Sequence, residues 1–164
     1  MRRAPLGELE AELHQSRPFR SDAQEATIAL LRTASVVARR LGKAISPSGI
    51  SLAQYNVLRI LRGAGTAGLP TLAIKDRMIE EGTTITRLLD KLEEAGLVHR
   101  KRSRPDRRQV LCTLTPAGAK VLAKLDPAMD AADEAAVVML DPATQRQLIA
   151  VLSAIRRGAH QDSD

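Results

Sequence analysis

The sequence predicts a mainly α-helical fold with one small β-hairpin. Hydrophobic residues make up 44% of the 164-residue chain, yet only Phe19 and Tyr55 are aromatic. The core must therefore be built from Leu, Ile, Val, Ala and Met, which favours helices over a β-sandwich. Apolar residues recur at helical spacing through most of the chain. The exception is a stretch where two short runs of strand character flank the turn sequence RPDR.

The first sixty residues predict an extension and two helices. Within the extension, residues 1–20, leucines at helical spacing indicate a short helix. The pattern SDAQ from Ser21 fits a capping box and opens a long helix over about 22–45. A second capping-box pattern, from Ser51 to Gln54, opens a helix over about 52–62.

The next two segments form a helix-turn-helix candidate, because two helices of about ten residues meet at a tight glycine-containing junction. The first is predicted over 70–82, with Pro70 in its first turn. The second is predicted over 83–95, with Thr83 as its cap and Gly96 as its end. Its apolar stripe consists of Ile85, Leu88, Leu89 and Leu92.

Strands over 97–103 and 109–114 follow, and the order helix, turn, helix, hairpin is that of a winged helix-turn-helix, predicted over 50–115. Thr115 and Pro116 then open a helix towards Leu140, bent at Pro127, which lacks an amide proton. A last helix begins at Asp141 and carries an apolar side formed by Leu148, Val151, Leu152 and Ile155.

The terminal helices have apolar stripes that a winged helix-turn-helix does not need. Residues 21–48 and 116–158 are therefore predicted to form a dimerisation region, followed by a polar tail over 159–164. Proteins of this class use two-fold symmetry to engage two half-sites. The alternative is that these helices complete a monomeric core.

The charge of the chain is concentrated in the hairpin. The whole chain carries a net charge of +6, and one nine-residue segment holds six basic residues and one acid, Asp106. Such a concentration predicts a polyanionic partner, although a solvated charged face is the alternative. The six are Arg100, Lys101, Arg102, Arg104, Arg107 and Arg108.

Two groups of side chains are candidates for contact with DNA. On the second helix of the motif, the outward residues are Thr83, Thr84, Thr86, Arg87 and Lys91, where threonines can reach phosphates and an arginine can bind guanine. On the hairpin, arginines at the tip can enter the minor groove, and the candidates are Arg104, Arg107 and Arg108. Asp106 is interpreted as a brace that holds Arg108, the probe.

The segment TTITRLLDKLEEAGLVHRKRSRPDRRQVLCTLTPAG, residues 83–118, resembles the signature of the MarR family of transcriptional regulators. The resemblance covers about 69–122, and the helix layout agrees over about 22–157. It implies an obligate homodimer that binds a pseudo-palindromic duplex and acts as a repressor. It also implies that Asp106 and Arg108 form the family's wing pair, and that Thr86 and Arg87 form its recognition-helix pair.

The same resemblance implies a small-molecule effector, often a phenolic or aromatic carboxylate, in a cleft between the dimer helices and the DNA-binding lobe. In this sequence the cleft would lie near Val37, Leu41, Tyr55 and Leu58, and would be mainly aliphatic with Tyr55 as its polar handle. The alternative is that these are core residues.

Other classes of function lack support in the sequence. There is no apolar run of about 18 residues and no signal peptide pattern, so a cytoplasmic protein is expected. No enzyme motif, cofactor fingerprint or metal-ligand spacing occurs, so neither catalysis nor a cofactor is expected. Cys112 is predicted to be a buried strand residue. A non-specific nucleic-acid-binding or protein-interaction module remains the alternative to a sequence-specific regulator.

Overall fold

The computed structural model describes residues 7–80, 84–102 and 109–161. Within these ranges the chain forms helices and one small antiparallel sheet, which confirms the predicted fold class. Ser46–Ser48 and Gly65–Ala67 are single 3₁₀ turns. The elements are α1 (Glu8–Glu12), α2 (Asp22–Ile45), α3 (Leu52–Ala64), β1 (Leu69–Pro70), α4 (Thr71–Lys75), α5 (Ile85–Glu94), β2 (Val98–Arg102), β3 (Val110–Leu114), α6 (Pro116–Ala136) and α7 (Pro142–Gln161).

The core lies where α3, α5, α6 and the sheet meet. Its fully buried members include Leu58 and Leu61 of α3, Leu89 and Leu92 of α5, and Leu122 of α6. Burying one such leucine stabilises the fold by about 1.5–3 kcal/mol. The helix-turn-helix is therefore held in place by aliphatic side chains from three helices, as the aromatic-poor composition requires.

Both predicted capping patterns are present, one of them in altered form. At α3, Ser51 Oγ accepts from the Gln54 amide at 3.2 Å and Gln54 Oε1 accepts from the Ser51 amide at 2.8 Å, which is a complete capping box. At α2, Ser21 Oγ accepts from Gln24, but Gln24 Oε1 accepts from Arg20 instead of Ser21. Both helices begin at the predicted residues.

The prediction of a helix over 70–82 was wrong, because α4 ends at Lys75. The amide of Ile79 donates to Asn56 Oδ1 of α3 at 3.0 Å, whereas a continuing helix would direct it to the Lys75 carbonyl. The amides of Arg77 and Met78 donate to carbonyls three residues back, at Ile74 and Lys75, as in a turn. A side chain from another helix thus diverts the backbone that the local pattern assigned to α4.

The hairpin is confirmed, and it forms part of a three-stranded sheet that was not predicted. Val98 pairs with Leu114 and Arg102 with Val110. On the other side of β3, the two-residue strand β1 pairs Pro70 with Leu111. Proline suits an edge strand because it has no N–H to donate. Pro70 is therefore an edge residue and the N-cap of α4, one position before the predicted first turn.

The junction between α5 and α6 is closely packed. Gly96 has φ +70°, a left-handed conformation that favours glycine, and it ends α5 as predicted. Thr115 Oγ1 donates to the Gly96 carbonyl at 2.8 Å and accepts from the Gly118 amide at 3.0 Å, so it caps α6 and binds the end of α5 at once. A Cβ on Gly118 would collide with the carbonyl oxygen of Leu97. The turn that follows α5 and the first turn of α6 therefore meet backbone to backbone.

The C-terminal helices differ slightly from the predicted pair. Helix α6 runs through Pro127 and ends at Ala136, four residues before Leu140, where Val137 leaves helical geometry and Arg40 donates to the Ala135 carbonyl at 2.6 Å. Asp141 Oδ1 accepts from the Thr144 amide and opens α7. No helix in the described ranges is long and apolar enough to cross a membrane.

Candidate nucleic-acid interface

Helix α5 presents one polar face to solvent. Ile85, Leu89 and Leu92 are buried and Leu88 is half-buried, so the predicted apolar stripe faces the core. This orientation follows from the helical period, since residues three and four apart share a face. The opposite face carries exposed side chains at four of the predicted contact positions, which are Thr84, Thr86, Arg87 and Lys91.

The N-terminal end of α5 has no side-chain cap among the described residues. Thr84 is the N-cap residue, one position after the predicted Thr83, which lies outside the described residues. The Thr84 side chain makes no capping hydrogen bond to the part of the chain that the structure describes. A phosphate at this end of α5 would be favoured by the positive end of the helix dipole.

One of the six hairpin cations is paired inside the protein. Arg100 Nε lies 2.7 Å from Glu93 Oε2, and Arg100 Nη2 lies 2.7 Å from Asp90 Oδ1. Both acids belong to α5. The sequence placed Arg100 in the basic cluster that predicts a polyanionic partner and did not predict this pairing. The available signal was two acids one turn apart on the helix directly before a basic strand.

The structure describes only part of the rest of the basic cluster. Lys101 and Arg102 are exposed at the end of β2. The predicted wing residues Arg104, Asp106, Arg107 and Arg108 lie outside the described residues. The strands that lead to them do lie next to α5, because β2 follows the helix after a three-residue turn and is joined to it by Arg100.

Comparison with known proteins settles the family. Residues 50–110 match the model of the MarR family. A MarR transcription factor from Planctomyces limnophilus, known from its crystal structure, is 35% identical, and the superposition covers 83% of this chain and 98% of that one with a TM-score of 0.64. The chain belongs to the MarR family. The matched residues run from the start of α3 to the start of β3 and include the exposed face of α5.

Two further relatives bear on what MarR-family proteins do. An HTH-type transcriptional repressor from Mycobacterium bovis is 28% identical over 118 residues, which cover 72% of this chain and 84% of that protein. The structure of BpsR from Bordetella bronchiseptica, whose DNA binding is regulated by 6-hydroxynicotinic acid, is 22% identical and shares the fold, with a TM-score of 0.73 over 80% of this chain and 98% of that one. This MarR-family chain is a DNA-binding transcriptional regulator.

A polar cleft of about 280 Å³ lies between α3 and α6, lined by Tyr55, Arg59, Arg62, Asp126, Asp130 and Asp133. Arg62 Nη1 contacts Asp126 Oδ2 at 2.6 Å, and Tyr55 donates its hydroxyl proton to Asp126 Oδ1 at 3.4 Å. The hydrogen bond from Arg62 lowers the pKa of the Asp126 carboxyl. Burial raises the pKa of the Tyr55 hydroxyl.

The predicted effector residues are not gathered around this cleft. Tyr55 lines it, but Leu58 is fully buried in the core, Leu41 packs against the core and Val37 is half-buried on α2. The cleft wall is charged, unlike the aliphatic pocket that the sequence predicted. Cys112 is fully buried, as predicted, and burial raises the pKa of its thiol. No group of three or more potential metal ligands occurs among the described residues.

Proposed function

We propose that this MarR-family regulator binds its operator as a homodimer, with α5 of each protomer in the major groove, and represses transcription there. The observation that supports this most is the division of α5 into a buried apolar stripe and an exposed face. That face carries Arg87 and Lys91 beside Thr84 and Thr86. Arginine can bind guanine with two hydrogen bonds, and threonine hydroxyls can bind phosphates. This role requires binding and no catalysis.

The hairpin is proposed to anchor the complex in the minor groove. Arg104, Arg107 and Arg108 would supply the positive charge, with Arg108 at the tip and Asp106 bracing it. The strands support this proposal because β2 and β3 pair through Arg102 and Val110, so they can carry the intervening loop as a unit. A narrow minor groove attracts arginine through its negative potential.

The homodimer is proposed to form through residues 21–48 and 116–158. Helix α7 carries large apolar side chains that remain exposed in the protomer, at 39% for Leu148, 63% for Ile149, 57% for Val151 and 49% for Ile155. The buried core contains no residue of α7 among those described. An apolar helix face of this size is costly in water and suits an interface with a second copy.

A small-molecule effector is proposed to bind in the α3–α6 cleft. This cleft joins α3, which packs against the recognition helix, to α6, which belongs to the proposed dimerisation region. A ligand that competes for the Asp126 carboxylate would change the link between these two regions. The BpsR comparison supports regulation by a ligand for a protein of this fold.

Competition between duplexes tests the DNA-binding proposal. A pool of random duplexes is first used to select the preferred operator, and unrelated duplexes then compete with it at fixed salt. We expect a preference of about 10³-fold or more for the operator. Equal affinity for all duplexes would instead support the non-specific module that grips phosphates. Salt dependence alone cannot separate the two, because both release counterions.

A further inference from the structure

Arg100 makes three contacts to α5, two through its side chain and one through its backbone amide. Its Nε donates to Glu93 Oε2 at 2.7 Å, its Nη2 contacts Asp90 Oδ1 at 2.7 Å, and its backbone amide donates to Glu93 Oε1 at 3.2 Å. Glu93 thus accepts from both the backbone and the side chain of one residue. With 24% of its side chain exposed, Arg100 is the most buried cation among the described ion pairs.

These contacts leave Arg100 poorly placed to bind a phosphate. Two acids surround one guanidinium group, so the cluster as a whole is negative and would repel the DNA backbone. Turning Arg100 towards DNA would also leave the Glu93 and Asp90 carboxylates next to each other without a cation. The position of Arg100 in the basic cluster is therefore misleading, since its charge is used inside the lobe.

The contacts add a polar link between two elements that a short turn connects and that share the buried core. Helix α5 ends at Glu94 and β2 begins at Val98, with Gly96 between them in a left-handed conformation. Glu93 lies in the last turn of the helix and Asp90 lies one turn earlier. Arg100 therefore fixes β2 along two turns of α5, which sets the direction in which the hairpin leaves the helix.

Arg100 also forms an ion pair with Asp90, an acid on the exposed side of α5. Asp90 is three residues after Arg87, and side chains at this spacing are neighbours on a helix surface. Without Arg100, the Asp90 carboxylate would be free to pair with Arg87. The contact at 2.7 Å therefore keeps Arg87 available for a base edge.

From these contacts we infer that Arg100 is a positioning residue for operator recognition, which holds the hairpin against the recognition helix and keeps Asp90 from Arg87, and does not contact DNA. The inference rests on the proposed function of α5 as the DNA-reading helix. The inference goes beyond that function because replacing Arg100 should weaken DNA binding although no phosphate contact is lost.

The experiment compares Arg100→Met with Arg102→Met in the full-length protein. Both variants lose one positive charge, but Arg102 is exposed and makes no ion pair with the described residues. Affinity is measured for the selected operator and for an unrelated duplex over a range of salt concentrations. For Arg100→Met we expect about a tenfold loss on the operator, with the salt dependence unchanged. For Arg102→Met we expect the slope of log K against log salt to fall by about 0.9.

Two outcomes of this comparison would overturn the inference. If Arg100→Met lowers the salt slope as Arg102→Met does, and weakens both duplexes equally, Arg100 is a phosphate contact. If Arg100→Met binds the operator as the wild type does, the contacts to α5 do not position anything that DNA binding needs. A wild-type protein that selects no operator would instead contradict the proposed function.

A second pair of variants keeps the inference testable if Arg100→Met does not fold. Glu93→Gln removes the acid that Arg100 contacts, and Glu94→Gln removes the adjacent exposed acid. Charge alone predicts equal or tighter DNA binding for both variants. We expect Glu93→Gln to weaken operator binding, Glu94→Gln not to weaken it, and Arg100→Met/Glu93→Gln to lose no more than the larger single change. Equal behaviour of the two glutamine variants, or additive losses in the double variant, would contradict the inference.

Discussion

Gly118 allows a prediction in which two opposing effects can be compared from the structure. Helix α6 begins at Pro116, so Gly118 lies in its first turn. A Cβ at this position would lie 2.7 Å from Leu114 Cδ1 and closer still to the carbonyl oxygen of Leu97. The Leu97 oxygen cannot move freely, because it accepts from the Thr115 amide at 3.1 Å. Any relief must therefore come from a shift of α6 itself.

The two effects of Gly118→Ala have opposite signs. Replacing glycine by alanine inside a helix stabilises it by about 0.5–1 kcal/mol. Forcing an extra carbon into a closely packed site costs about 1–3 kcal/mol. Because backbone atoms form the contact, we expect the clash to be the larger effect. Gly118→Ala should lower the free energy of unfolding by about 1–2 kcal/mol.

Gly63→Ala in α3 is the matched control, because no described atom lies within 4 Å of a Cβ placed there. It should raise the free energy of unfolding by about 0.5–1 kcal/mol. Urea denaturation of the wild type and both variants, at one protein concentration, measures the difference. If Gly118→Ala proves as stable as Gly63→Ala, then α6 does not approach the α5–β2 connection as closely as described.

Three other predictions concern the wing, the dimer and pH. Arg108→Ala should weaken operator binding and reduce the slope of log K against log salt by about one counterion. Asp106→Ala should also weaken operator binding, although it makes the protein more positive. Tighter binding by Asp106→Ala would mean that the basic cluster is a diffuse electrostatic patch. The intact chain should sediment as a dimer at micromolar concentration and a chain truncated before Asp141 as a monomer, whereas a monomeric intact chain would refute the interface. Because Arg62 lowers the folded-state pKa of Asp126, the resulting stability is present above the unfolded pKa of about 3.9 and is lost as pH falls through the folded value. Urea unfolding from about pH 5 to pH 2 should therefore show a smaller loss for Asp126→Asn than for the wild type, and equal losses would count against this contribution.

The sequence predicted those elements whose signals are local. The Ser51–Gln54 capping box, the stripe of α5 and the glycine after it all act within a few residues, and each is present in the structure. The hairpin was predictable for the same reason, since its strands are separated only by a turn. Local rules of this kind set where elements begin and end.

The failures depend on side-chain contacts between different elements of the fold. Asn56 accepts the Ile79 amide across 23 positions and shortens α4, although the α4 pattern alone continues to Gly82. Arg100 resembles its basic neighbours in sequence, and only the fold shows that it pairs with Glu93. The charged lining of the α3–α6 cleft likewise depends on Arg62 meeting Asp126, 64 residues later. The two acids of α5 were a local signal for the Arg100 pairing, whereas the contacts of Asn56 and Arg62 have no signature in local spacing.

If α5 recognises base sequence in the major groove, Arg87 is the side chain whose loss should change that recognition. The preferred operator is selected with the wild-type protein, and every single-base change in one half-site is then measured with wild type and with Arg87→Ala. We expect Arg87→Ala to lose about 1–3 kcal/mol of binding free energy on the preferred operator and to discriminate less at one base position. An equal loss on every duplex would mean that Arg87 contacts only phosphate, and would contradict sequence reading by this face of α5.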